Sequence, residues 1–140
     1  MKPKFITVHC SATKPKHTFG KDRLYDLHVK QNGWSDIGYH FYITTDGLTH
    51  SCRPISRNGA HVSGHNKDNI GVCLEGGLDN DTGKPSDTFN DVQWDALRLL
   101  LTSLQSIYGI KDVNVKGHRD WGANKACPCF DVKQKLKEWK

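Results

Sequence analysis

The sequence predicts an α/β fold: a single central, mostly mixed β-sheet flanked by about three helices. Three observations carry that expectation. Short strand-like runs alternate with helical segments along the chain, which is the pattern of layers packed around a sheet. The length of 140 residues suits one hydrophobic core and leaves no room for a second module. No internal repeat divides the chain, so residues 1–140 read as one domain.

Taken in order, Phe5 to His9 alternates bulky and β-branched residues as a short strand does. It ends at His9-Cys10-Ser11, and Ala12-Thr13-Lys14-Pro15 reads as a loop. From Lys21 to Asn32, Leu24, Leu27 and Val29, joined by Tyr25 and His28, fit an amphipathic helix that stops at Gly33. Tyr39 to Thr44 reads as a strand, and Thr45-Asp46-Gly47 as a hairpin turn into a second strand near Leu48 to Ser51. Arg57 to Asn69 has no period and reads as an ordered loop. Ile70 to Glu75 reads as a buried strand closed by Gly76-Gly77. Asp79 to Asp87 lacks the ligand order of an EF-hand and is expected to face solvent.

The helix from Asp91 to Tyr108 is the clearest element. Asn90 caps it, Gln93 stands three residues on as in a capping box, and Leu97, Leu100, Leu101, Leu104, Ile107 and Tyr108 form the expected core stripe before Gly109. Val113 to Val115 is expected to be a strand and Gly117 to Pro128 a loop. Asp131 to Trp139 is expected to be a C-terminal helix with an acidic start.

Composition excludes several classes of function. Charged residues make up 25% of the chain, with 20 Lys and Arg against 15 Asp and Glu, a net charge of +5. That is ordinary for a folded protein. Mean hydropathy is −0.65, and no apolar run approaches the roughly eighteen residues of a membrane span. The positive balance suits an anionic partner such as nucleic acid, a membrane surface or a bacterial wall. The lysines are scattered without a basic block or base-stacking motif, so neither nucleic acid nor stable membrane association is expected. Met1 to Cys10 has no apolar leader core, so no signal peptide is expected and the chain is placed in the producing cell's cytoplasm. Five cysteines, Cys10, Cys52, Cys73, Cys127 and Cys129, cannot all pair within one chain and are expected to be reduced thiols.

The chemistry-bearing residues fall at element boundaries. His9 follows the first strand, His118 the later strand region, and Cys127 the next loop, so that all three can face a shared cleft at one edge of the sheet. A catalytic zinc takes three nitrogen or sulfur ligands, often from distant segments, and keeps a fourth position open. Among eight histidines and five cysteines some such triple always exists, so ligand chemistry alone favours the plainer reading of two surface histidines and a buried thiol. Cys127-Pro128-Cys129 is one residue short of a two-residue redox spacing.

Five motifs in order narrow these readings. They are Phe5-Ile6-Thr7-Val8-His9-Cys10-Ser11-Ala12-Thr13-Lys14-Pro15, Gly33-Trp34-Ser35-Asp36-Ile37-Gly38-Tyr39-His40-Phe41, Gly59-Ala60-His61, Asn69-Ile70-Gly71-Val72-Cys73-Leu74-Glu75-Gly76-Gly77 and Lys125-Ala126-Cys127-Pro128-Cys129-Phe130-Asp131. Together they resemble the type 2 N-acetylmuramoyl-L-alanine amidases, especially the lysozymes of T-odd phages, and more distantly the peptidoglycan recognition proteins. The similarity runs from about Phe5 to Trp139.

The resemblance implies a zinc amidase that cuts the amide between the lactyl group of N-acetylmuramic acid and the L-alanine of the stem peptide. It implies one Zn2+ held by His9, His118 and Cys127, with Tyr39 and Lys125 as the catalytic pair. Such chemistry is physically reasonable, because zinc can bring the pKa of water from 15.7 to about 7 and polarise a carbonyl. A cation or hydroxyl donor across the cleft then stabilises the oxyanion, a contribution of roughly 3 kcal/mol. Recognition members of the family that bind without cutting tend to lack the cysteine ligand, so Cys127 favours an enzyme.

His61, Asn66 and Arg119 are expected to contact substrate, although a structural hydrogen bond explains a Gly-flanked loop histidine as well. His40, next to Tyr39 on a strand, should face the other way. Trp121 beside Arg119 is a further sugar-stacking candidate, and an exposed loop is the competing reading. The interval from His118 to Cys127 is one residue longer than in the T-odd phage lysozymes, so the loop carrying Lys125 is expected to sit differently or bulge outward.

The function expected is therefore a peptidoglycan amidase, a phage or prophage endolysin that reaches the wall through a holin-type pore and works as a monomer. The T-odd phage proteins also inhibit an RNA polymerase, a role not carried over here. The rival readings are a non-catalytic wall-binding or polymerase-regulating protein and a secreted antibacterial amidase effector.

Overall fold

Alternation along β1 (Phe5–Cys10) sets the two sides of the molecule. Ile6, Val8 and Cys10 point to one face of the sheet and join its large apolar core, whereas Thr7 and His9, although equally buried, are not part of it. The computed structural model describes residues 1–140. β1 lies between β4 (Asn69–Leu74) and the edge strand β5 (Val115–Gly117), parallel to both. β2 (Phe41–Ile43) is parallel to β4, and β3 (Thr49–Ser51) closes the far edge as the antiparallel arm of a hairpin. The order is β3-β2-β4-β1-β5, a mixed five-stranded sheet.

Three α-helices flank it: α1 (Lys21–Tyr25), α2 (Asp91–Tyr108) and α3 (Val132–Glu138). Leu97, Leu101 and Leu104 of α2 and Val132 and Leu136 of α3 cover Ile6, Val8, Ile43, Ile70, Val72, Leu74 and Val115. On the opposite side a smaller cluster, Leu24, Ile37, Tyr42 and Cys73, seats α1 against the sheet.

α2 begins as its sequence dictates. Asn90 accepts from the Gln93 N–H at 2.9 Å and Gln93 returns the bond at 3.3 Å. Gly109 ends the helix at φ +66°. Gln93 is fully buried and also donates to the Glu75 carbonyl at 2.9 Å, tying the helix start to the end of β4.

Three expectations need correcting. Ile107 and Tyr108 are exposed, because the chain turns at Gly109 and Ile110 takes the core position instead. Val113 lies in a 3₁₀ turn (Asp112–Asn114), and the strand begins only at Val115. Lys133 donates to the carbonyls of Asp112 and Val113 and so satisfies them without a sheet partner. The helix expected to run to Asn32 is α-helical only to Tyr25; Asp26–Gln31 winds as a π-helix, with the Asn32 N–H reaching back to Leu27 O. Tyr25, expected on the apolar side, is exposed, whereas Leu24 and His28 are buried.

Replacing Gln93 by Ala removes the cap return and leaves a buried carbonyl without its donor. Urea unfolding is expected to register a loss of about 2–3 kcal/mol, against about 1 kcal/mol for Asn90→Ala. Equal losses for the two would show that the bond to Glu75 contributes nothing.

Candidate metal centre

Four chain segments converge over the β1–β5 side of the sheet. His9 rises from β1 and is 1% exposed. His118 opens a 3₁₀ turn (His118–Trp121) directly after the edge strand β5. Cys127 lies in the following loop, and Tyr39 immediately precedes the buried His40 that leads into β2. The ligand atoms of His9, His118 and Cys127 all lie within 4.8 Å of one another. The ring centroids of His9 and His118 are 4.6 Å apart, and those of His9 and Tyr39 are 5.0 Å apart.

Two imidazoles and a thiol are a donor set that zinc takes readily. The surroundings favour the ligating forms of the imidazoles. Burial holds His9 well below the ordinary histidine range, and the other basic groups around it, His61, His118 and Lys125, disfavour a charge on it further. Burial and the Lys125 charge lower His118 likewise. Both rings are therefore neutral at physiological pH and carry a lone pair. The Cys127 sulfur accepts the backbone N–H of Cys10 at 3.2 Å, which fixes its position beside the end of β1.

Tyr39 is held well above the ordinary phenol range, mainly by burial and next by Cys73 and Cys127. It stays protonated and keeps an O–H to donate. Lys125 is exposed on the rim. Its loop is closed at the base by a bond from the Arg119 N–H to the Cys127 carbonyl at 3.0 Å. Gly122, Asn124, Lys125 and Ala126 are exposed outside that closure.

The remaining candidates are placed differently from one another. His61, expected on the cleft wall, is buried behind His9. Its Nδ1 lies 2.8 Å from His9 Nε2 and its Nε2 lies 2.8 Å from the Asn69 carbonyl oxygen, so neither ring nitrogen is left for a ligand. Asn66 accepts the N–H groups of His61 and Val62, both at 2.8 Å, and holds that loop. Arg119 is exposed beside the loop. His40 is fully buried, with Nε2 at 2.8 Å from Arg57 O and Nδ1 accepting from the Gly71 N–H.

Two residues escaped the sequence reading. Thr7 donates to Asn69 Oδ1 at 2.8 Å and accepts from Trp121 Nε1 at 2.9 Å, while Asn69 donates on to His65 O. The signal available was polarity in the wrong place: Thr7 within an apolar strand, and Asn69 at the head of a run that is otherwise buried and apolar. Trp121 is not a free stacking surface. His65 stacks on it at 4.6 Å, Phe5 meets it edge-on, and the Lys116 ammonium lies 4.4 Å from its centroid.

Cys10 and Cys129 approach to 3.9 Å between sulfurs beside Cys127. All five cysteines are free thiols.

Residues 1–130 match the family described as N-acetylmuramoyl-L-alanine amidase. The chain is 43% identical over 129 residues to the endolysins of Enterobacteria phage T3 and Escherichia phage T7, covering 92% of this chain and 82% of each of theirs. Among solved structures it is similar to the endolysin N-acetylmuramoyl-L-alanine amidase LysCS from Clostridium intestinale URNW. That match has a TM-score of 0.80 and 30% identity, over 98% of this chain and 85% of that one.

Thr7→Val keeps the shape of the strand but strands the Trp121 N–H and the Asn69 side chain. Chemical denaturation is expected to show a loss of about 1–3 kcal/mol, with little change for Thr49→Val on the exposed edge strand. No loss at Thr7 would mean the network carries no stability.

Proposed function

This chain belongs to the N-acetylmuramoyl-L-alanine amidase family, and on that premise we propose that the His9, His118 and Cys127 cluster is a zinc site serving its hydrolytic cleft. The enzyme cleaves the amide between the lactyl group of N-acetylmuramic acid and the L-alanine of the peptidoglycan stem peptide, as an endolysin. The observation that carries the metal reading is the convergence of two neutral imidazoles and a thiol within 4.8 Å, from segments more than a hundred residues apart. A bound zinc ion supplies Lewis acidity, which acidifies water and polarises the scissile carbonyl.

The chain's own groups do the rest. His9 and His118 hold their lone pairs into the cleft, and the Cys127 sulfur, met by the backbone N–H of Cys10, would hold the ion as a thiolate. Tyr39, kept protonated by burial, donates its hydroxyl to the oxygen of the attacked carbonyl or passes a proton to the departing amine. Lys125 stands on the rim as a cation and stabilises the negative charge that develops on that oxygen. Arg119, exposed next to the loop, would meet a stem-peptide carboxylate by paired hydrogen bonds. The net charge of +5 assists approach to an anionic wall. No helix is long and apolar enough to cross a membrane, and a holin-type pore would give the enzyme access to its polymer.

Incubation with purified peptidoglycan is expected to release stem peptides that begin at L-alanine, detected by mass spectrometry. Chelator should stop the release and added zinc restore it. Intact muropeptides from a folded, zinc-loaded protein on several wall types would replace this reading with a wall-binding module. Lys125→Ala is expected to lower kcat by about 10²–10³-fold and Tyr39→Phe by about 10²–10⁴-fold, both with the zinc content unchanged. A loss of zinc in either variant would assign that residue to the metal site instead.

A further inference from the structure

We infer that His61 is a positioning residue that fixes which ring nitrogen His9 offers to the cleft. The constraint begins at a backbone carbonyl. Asn69 O accepts hydrogen bonds and cannot donate, so His61 Nε2, 2.8 Å away, must carry the hydrogen. A buried imidazole with no carboxylate partner is neutral and has only one N–H, which leaves His61 Nδ1 as a bare acceptor. The group facing that acceptor at 2.8 Å is His9 Nε2. It must therefore be the protonated nitrogen of His9, and the lone pair of His9 lies on Nδ1.

The ring that transmits this constraint is held on several sides. A Cβ at Gly71 would fall 2.8 Å from His61 Cγ and Cδ2, and one at Gly59 would fall 2.6 Å from Cδ2. Both contacts are closer than packed carbon atoms tolerate, so glycine at these positions lets the backbone lie flat against the imidazole. Asn66 Oδ1 fixes the main chain by accepting from the N–H of His61 and of Val62. Neither the tilt of His61 nor its tautomer is free to change, and His9 inherits both.

A fixed tautomer matters because a ring that samples both forms presents its lone pair to the cleft only part of the time. Metal-bound histidines are commonly oriented by such a partner on the other nitrogen, whose loss lowers metal affinity by about 10–100-fold. This consequence rests on the zinc reading above; the tautomer does not.

Two measurements separate the claims. Nitrogen-15 NMR of the metal-free protein, with His9 assigned by comparison with His9→Asn, is expected to find the His9 hydrogen on Nε2. Zinc affinity, read by competition with a coloured chelator, is expected to fall about 10–100-fold in His61→Phe, which fills the space without hydrogen bonding. His61→Gln, which keeps one acceptor and one donor, should recover most of that loss. A hydrogen on His9 Nδ1 in the metal-free wild type, or zinc binding by His61→Phe within about threefold of wild type, would overturn the inference. Wild type that takes up no zinc, with His9 still protonated on Nε2, would remove the metal reading and leave the relay standing. Should His61→Phe fail to fold, the wild-type tautomer decides alone.

Discussion

The floor of the cleft is polar and buried, and its groups find their partners within the protein. Thr7, His9, His40, His61 and Asn69 are all buried, and no buried side-chain nitrogen or oxygen in the molecule is left without a hydrogen bond. Each failure would cost about 1–3 kcal/mol in a fold whose whole stability is about 5–15 kcal/mol. Completeness is thus a condition of folding. Asn69 meets most of the demand: its carbonyl takes His61, its amide oxygen takes Thr7, and its amide nitrogen bonds to His65 O. Thr7 in turn takes Trp121, the last residue of the turn that His118 begins. The two histidines of the cluster are in this way referred to one asparagine, His9 through His61 and His118 through Trp121 and Thr7.

The supports differ in stiffness. His9 belongs to a strand paired on both sides, and its ring rests on a histidine that two glycines confine. His118 follows the shorter edge strand, and Cys127 and Lys125 ride on a loop secured at its base by one backbone bond from Arg119 to Cys127. The most rigid element holds the residue at the centre of the cluster, and the loop contributes the groups nearest the solvent.

Much of this could be read from the sequence because it depends on periodicity and on local caps. The 3.6-residue spacing of Leu97, Leu101 and Leu104, the pair Asn90 and Gln93, and Gly109 at positive φ are local signals, and they place α2 to the residue. The alternation of β1 likewise put His9 at the end of a strand. What could not be read depends on distant partners. His61 sits in a loop without period, and nothing local says that its ring turns inward to meet a residue 52 positions earlier. Ile107 and Tyr108 obey the helical spacing but lie beyond the reach of the sheet, and Val113 has a strand-forming side chain in a segment whose carbonyls Lys133 already satisfies. The grouping of His9, His118 and Cys127 came from their places at element boundaries and from the family resemblance, not from ligand spacing.

The pairing of β1 with β5 also governs how the molecule is made. Ile6 lies opposite Val115, so the outer edge of β1 is covered only by a strand more than a hundred residues further along the chain. Contacts of such long sequence separation form late. A nascent chain that has not passed Val115 lacks His118, Cys127 and Lys125 and also the strand that completes the sheet. The cluster of His9, His118 and Cys127 is therefore assembled only once the chain has passed Cys127, and a fragment that stops short of Val115 holds His9 without its partners.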